Sequence, residues 1–228
     1  MSRGRTSRRS LLQRGLAAGA AGIALSRATA ASTGRVIGAN DRIHVGVIGC
    51  GARGRWLIMN SIQVDSTGVA IAAACDVFKS RLEGYRNDRE KELGLKPKAY
   101  ADYRKLLDDA DVDAVVIATP DHQHCGQAIE AIQAGKHVYV EKPLPGLVCD
   151  LPELNRLYDT AKASKLAVQV GTQGASCLGA KAIKKVIAEG TLGKLFRVES
   201  TETSHVPYWM HYKGPATEAE TDWKAWLY

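Results

Sequence analysis

Three glycines, at positions 49, 51 and 54, follow the apolar residues Val45-Gly46-Val47-Ile48 with the spacing G-x-G-x-x-G, and Asp76 closes a second apolar run at Val69–Cys75. Residues 55–59, Arg-Trp-Leu-Ile-Met, continue from the turn as the opening of an apolar helix. A strand, a glycine turn and a helix in that order can hold phosphate. Gly49 permits the tight turn, Gly51 lets the backbone approach a pyrophosphate, and Gly54 lets the helix pack closely on the strand. The helix start adds free N–H groups and the positive end of its dipole. An acid at a second strand end, on the order of 20 residues further on, completes a dinucleotide fingerprint. Lys142 stands at a later strand end. A lysine there can donate a proton to, or accept one from, a hydroxyl, and burial would bring its pKa towards a useful range.

These residues need a scaffold that brings several strand ends to one edge. Strands are expected at 42–48, 69–75, 98–100, 112–118, 137–140 and 166–170. Helices are expected at 79–93 (stopped by Gly94), 102–109, 123–134 (stopped by Gly135), 151–163 and 180–189 (stopped by Gly190). Strands alternating with helices of this length imply a parallel sheet covered on both faces. Right-handed crossovers make it a doubly wound α/β fold of Rossmann type, with ligand at the carboxyl ends of the strands. After Gly193 the pattern changes. Residues 195–203 are β-prone with no helical crossover after them, and Trp209, Trp223 and Trp226 crowd the last twenty positions. This is read as the start of a second, α+β domain cut short at Tyr228.

The chain of 228 residues carries a formal net charge of +7, which would suggest nucleic acid were it spread over the body. It is not: residues 1–40 hold seven arginines and no acid, leaving 24 basic against 24 acidic residues in the remainder. No basic stripe for a phosphate backbone remains. Instead Arg8-Arg9, an apolar stretch from Leu16 to Leu25, and Ala28-Thr29-Ala30 compose a twin-arginine signal with its cleavage site. The stretch is too short for a stable membrane span of ~20 residues. The expected organisation is therefore a Tat signal peptide at 1–30, a linker at 31–40, a dinucleotide-binding domain at 41–165, and a crossover with the beginning of a substrate domain at 166–228. Tat export, to the periplasm or outside the cell, moves folded proteins, so a cytoplasmic nucleotide can be loaded first; a tightly held cofactor follows. The five cysteines (50, 75, 125, 149, 177) form no C-x-x-C pair. They support buried free thiols, and neither a zinc site nor a disulfide framework.

Two further clusters fall at strand ends: Thr119-Pro120-Asp121-His122-Gln123-His124 after the fourth strand and Glu141-Lys142-Pro143 after the fifth. With the glycine turn and Gly171-Thr172-Gln173, they make the chain from 41 to 228 resemble the Gfo/Idh/MocA family of nicotinamide-dependent sugar and polyol oxidoreductases. The resemblance implies that Gly49, Gly51 and Gly54 hold the pyrophosphate and that Asp76 accepts hydrogen bonds from the adenosine ribose. A carboxylate there favours NAD over NADP. It implies too that Thr119, Pro120 and His124 line the nucleotide cleft, that Glu141 and Lys142 flank the nicotinamide ribose and substrate, that Pro143 follows a cis peptide, and that Lys142 is catalytic. His122 is expected to be a surface residue.

The departures are equally specific. The family draws an Asp and a His for proton transfer from an early helix of its substrate domain, and this chain has no counterpart before Tyr228; His205 and His211 lie too early for the role. Gly174-Ala175-Ser176 stands where many members carry a basic residue. Tyr208, Trp209 and Tyr212 could stack on a sugar ring or belong to the second domain's core. Hydride transfer between NAD and a sugar-like or cyclitol-like hydroxyl leads the expectations. The alternatives are a redox-mediated glycoside hydrolase that recycles NAD, and an inactive nucleotide-binding module. A homo-oligomer through the second domain's sheet is compatible with all three.

Overall fold

Consecutive apolar residues such as those at 45, 47 and 48 put side chains on both sides of an extended backbone, and only a sheet covered on both faces buries them all. The computed structural model describes residues 42–60, 68–94, 96–144, 151–199, 217 and 219–227. The leader, the linker, Cys149, and the aromatic and histidine residues between 205 and 212 lie outside them. Six strands, β1 (Ile43–Ile48), β2 (Val69–Cys75), β3 (Lys98–Tyr100), β4 (Ala114–Ile117), β5 (His137–Val140) and β6 (Val168–Val170), form one sheet in the order β3-β2-β1-β4-β5-β6. Every pairing is parallel; Val47 on β1 sits between Ala74 of β2 and Val116 of β4.

Helices α1 (Ala52–Asn60) and α2 (Lys79–Leu93) follow β1 and β2. The core beneath them holds Val45, Val47, Leu57, Ile58, Ile71 and Tyr85. Helices α3 (Tyr103–Leu107), α4 (His124–Gln133) and α5 (Leu151–Ala163) share the other core, with Leu106, Val115, Ile117, Ile129, Val138 and Leu157. Full burial of an aliphatic side chain stabilises by roughly 1.5–3 kcal/mol, so the two cores hold the sheet rigid from both sides. At the amino-terminal edge Lys136 is buried, its Nζ donating to the carbonyls of Asp109 (2.9 Å) and Val112 (2.7 Å). Desolvation lowers its pKa.

Element order agrees with the expectation, while several boundaries shift. Helix α1 begins at Ala52, inside the glycine motif, because its first helical N–H to find a carbonyl is that of Arg55, on Gly51 O at 3.0 Å. A 3₁₀ turn at Asp121–Gln123 precedes α4. Helix α6 (Leu178–Ala188) starts two residues earlier than expected, with Cys177 Sγ capping Ala180 N–H at 3.3 Å. Cys50, Cys75 and Cys125 are buried free thiols, but Cys177 is exposed, which corrects the expectation for that residue. Residues 195–199 form no strand. β-Propensity needs a neighbouring strand to become structure, and none of the described segments pairs with them. Among the described residues no helix is long and apolar enough to cross a membrane.

Candidate cofactor-binding site

The strand order reverses between β1 and β4: the chain winds outward to β3 on one side and to β6 on the other. Ligands of open α/β sheets bind at such a switch point, outside the carboxyl ends of the strands. The glycine turn lies there. Gly49 has φ +93°, and a Cβ on it would stand 2.6 Å from the Ala118 carbonyl oxygen, so the β1 turn abuts the β4 turn with no room for a side chain. A Cβ on Gly54 would overlap the Gly49 carbonyl oxygen, which is how α1 comes so close to its strand. Gly51 differs from both. A Cβ there would meet nothing nearer than Arg81 Cδ at 4.0 Å, so the space above Gly51 is open. Beside that space the N–H groups of Ala52, Arg53 and Gly54 precede the first bonded N–H of α1 and have no carbonyl within the helix to bond. Gly49 thus serves the turn and Gly54 the helix packing, while Gly51 leaves space open at the switch point.

Asp76 ends β2 beside this turn and is 8% exposed. Its two oxygens are engaged separately: Oδ2 accepts from Cys50 N–H (2.9 Å) and Oδ1 from Phe78 N–H (2.9 Å). Burial raises its pKa above the ordinary 3.8, opposed by those N–H donors and by the nearby Arg81 and Arg55. A buried anion with lone pairs still available is a receptor for hydroxyl donors. Cys50 is packed against it, and burial pushes both the Cys50 and Cys75 thiols well up, so they stay neutral.

The other rim residues come from β4 and β5. Thr119 Oγ1 donates to Gln127 Oε1 at 2.8 Å. Thr119 and Pro120 are partly exposed at the rim, and His124 is buried beneath them. The His124 ring lies between two carbonyls, Nε2 2.9 Å from Thr119 O and Nδ1 3.1 Å from Pro143 O. It therefore packs between the β4 turn and the β5 turn below the cleft, its N–H donating to one of the two carbonyls. Glu141 is buried at the end of β5, with Oε1 accepting from Arg53 Nη2 (2.7 Å) and from the Tyr139 hydroxyl (3.0 Å). Desolvation first, and that hydrogen bond second, raise the Tyr139 pKa. The Lys142–Pro143 peptide is cis, as expected. Lys142 is exposed, not buried. The burial expected for it is not supplied by the described residues, since β5 ends at Val140 and Lys142 lies two residues beyond it.

Two features escaped sequence reasoning. Arg53, an unassigned x of the glycine motif, reaches Glu141 across the end of β4. The segment at 219–227 folds back onto the carboxyl rim. Thr221 bridges Phe78, Asp222 N–H donates to Val77 O (3.1 Å), and Gln123 Nε2 donates to Trp226 O (2.7 Å). His122, expected as a surface residue, is exposed but has its Nε2 2.9 Å from the Trp226 carbonyl, with its ring edge-on to the Trp226 indole. No local pattern signalled either contact. An open groove of about 280 Å³ between Val45, Leu57, Val116, Tyr139 and Gln169 includes none of the glycine-turn residues, Asp76 or Lys142.

A glycine turn at the switch point, a buried acid just past the adjoining strand and a lysine further along the same rim are the arrangement of a dinucleotide-binding Rossmann domain. The model of the Gfo/Idh/MocA family, described as an oxidoreductase family with an NAD-binding Rossmann fold, matches residues 43–172, more than half of the chain. The chain belongs to that family. It is 38% identical to glycosyl hydrolase family 109 protein 2 of Shewanella sp. (strain ANA-3) over 137 residues, which cover 58% of this chain and 29% of that protein. It is 28% identical to inositol 2-dehydrogenase of Salmonella typhimurium over 181 residues, 78% of this chain and 51% of that one. The crystal structure of myo-inositol dehydrogenase from Lactobacillus casei, in complex with NAD(H) and myo-inositol, superposes with a TM-score of 0.57 at 31% identity, covering 67% of this chain and 43% of that one. The chain therefore spans about half or less of the length of these relatives.

Proposed function

We propose that this chain supplies the cofactor half of an NAD-dependent oxidoreductase that moves hydride to or from a hydroxyl-bearing carbon of a sugar or cyclitol. The observation that carries the reading is the order of groups along one rim. Asp76 on β2, the glycine turn on β1, Thr119 after β4 and Lys142 after β5 occupy four consecutive strand ends. Neighbouring strands are about 4.8 Å apart, so the row is roughly 14 Å long. A dinucleotide laid along it puts its ribose hydroxyls at Asp76, its diphosphate over Gly51 and its nicotinamide towards Lys142. When bound, the nicotinamide supplies the hydride-accepting carbon. The chain's part is to bind and orient: Asp76 accepts from the ribose, α1 presents its first N–H groups to the diphosphate, and Glu141 stands beside Lys142. The Lys142 Nζ donates to, or as the free amine accepts from, the substrate oxygen whose carbon changes oxidation state. A carboxylate at 76 repels a 2′-phosphate, so NAD is preferred to NADP. Calorimetric titration of NAD into the chain and into Asp76→Ala tests this. Tight binding lost in the variant supports the reading, and no binding in either ends it.

The identity to a family 109 glycosyl hydrolase favours one second reading, transient oxidation that cleaves a glycosidic bond with NAD recycled. Assays of the full-length gene product over cyclitols, sugars and glycosides separate the two. Net NADH formation marks the dehydrogenase, and free sugar without net NADH marks the hydrolase. Export through the Tat machinery rests on Arg8-Arg9 and the apolar stretch behind them. Its test is the periplasmic fraction of cells expressing the protein, which should empty on replacing both arginines by lysine.

A further inference from the structure

Arg53 and Glu141 are 88 positions apart and join the β1 turn to the end of β5 over the tip of β4. The pair lies across the path from the glycine turn to Lys142, which the proposed cofactor must follow. Its halves differ in freedom. The Glu141 side chain is 5% exposed and walled in: a Cβ on Gly171 would meet Glu141 Oε1 at 2.8 Å, and the Tyr139 hydroxyl holds the same oxygen. The Arg53 side chain is 33% exposed, leaves the first turn of α1, and rests its guanidinium 4.8 Å from the centre of the half-exposed Trp56 ring. When the two separate, the arginine moves. It is rooted among the N–H groups beside the open space over Gly51, where a diphosphate would lie, and a planar guanidinium suits phosphate as well as carboxylate.

We propose that Arg53 exchanges partners, leaving Glu141 to bind the cofactor's diphosphate, so that the pair closes the cofactor path when no nucleotide is present and Glu141 is released towards the nicotinamide end when one is. This rests on the cofactor reading above. The test is calorimetric titration of ADP-ribose, which carries the diphosphate without nicotinamide, into the chain and four variants whose folding is verified by thermal melting. Arg53→Met should weaken ADP-ribose about tenfold, as expected for losing a charge-assisted hydrogen bond, and Arg53→Lys about threefold, since the ammonium keeps charge but not the fork. Glu141→Gln should tighten it about threefold by releasing the arginine, and that gain should vanish in the Arg53→Met/Glu141→Gln double variant. A gain that persists in the double variant is mere removal of a like charge and overturns the exchange, as does wild-type affinity in Arg53→Met. If the unaltered chain binds neither ADP-ribose nor NAD, the cofactor reading itself falls.

Discussion

Gly51→Ala separates binding from folding. The added methyl would lie 4.0 Å from Arg81 Cδ with no other heavy atom within that distance, and the backbone at 51 does not lie in the left-handed region. The folded state therefore accommodates it, and the restricted unfolded chain should add about 0.4–1 kcal/mol of stability. For a domain of this size that leaves the melting temperature unchanged or raises it by about 2–4 °C. The same methyl stands in the space a diphosphate needs to reach the N–H groups of Ala52, Arg53 and Gly54. Each hydrogen bond to a charged phosphate oxygen contributes about 1.5–3 kcal/mol. Losing one costs about 1.5–3 kcal/mol, an NAD affinity lower by roughly 10- to 150-fold. Gly49→Ala is the contrast. Its methyl would lie 2.6 Å from the Ala118 carbonyl oxygen at φ +93°, so stability and binding should fall together. Thermal melts followed by circular dichroism, with NAD titrations on the same samples, measure both quantities. Unchanged NAD affinity in a fully folded Gly51→Ala protein would refute the placement of the diphosphate.

NAD affinity should fall with acidification, because the ribose hydroxyls need the Asp76 anion and burial raises its pKa above 3.8. The sign for stability is opposite. A carboxyl whose folded pKa is raised costs stability above that pKa and recovers it as pH falls through it, so binding should weaken while the Asp76 contribution to folding improves. Titrations at decreasing pH should show this loss, and Asp76→Asn, weaker throughout, should show a flat profile. Iodoacetamide at mildly alkaline pH should label Cys177 and spare Cys50, Cys75 and Cys125, since the first is exposed and the others are buried. Peptide mass spectrometry reads the pattern, and rapid labelling of Cys50 would show that the turn beside Asp76 opens freely.

Much of this molecule was written locally. The alternation of apolar runs and glycine-stopped helices announced the order of elements, because strand, turn and helix each depend on neighbours a few residues away. The glycine turn was legible for the same reason: Gly49, Gly51 and Gly54 act within a single turn, and Asp76 follows the next strand. Boundaries were less legible. The start of α1 at Ala52 depends on which N–H first finds a carbonyl, and the unpaired 195–199 segment depends on whether another strand lies beside it.

What the sequence could not disclose were contacts between segments that only the tertiary fold brings together. The bond from Arg53 to Glu141, the approach of His124 to the Pro143 carbonyl, and the return of residues 219–227 onto the turns after β2 and β4 all join positions far apart in the chain. Spacing along the chain carries no record of them. The types of residue needed for dinucleotide chemistry were set by the sequence. Which of them face one another, which is sealed in and which stands in the open, as Lys142 does, was decided by the order of strands in the sheet.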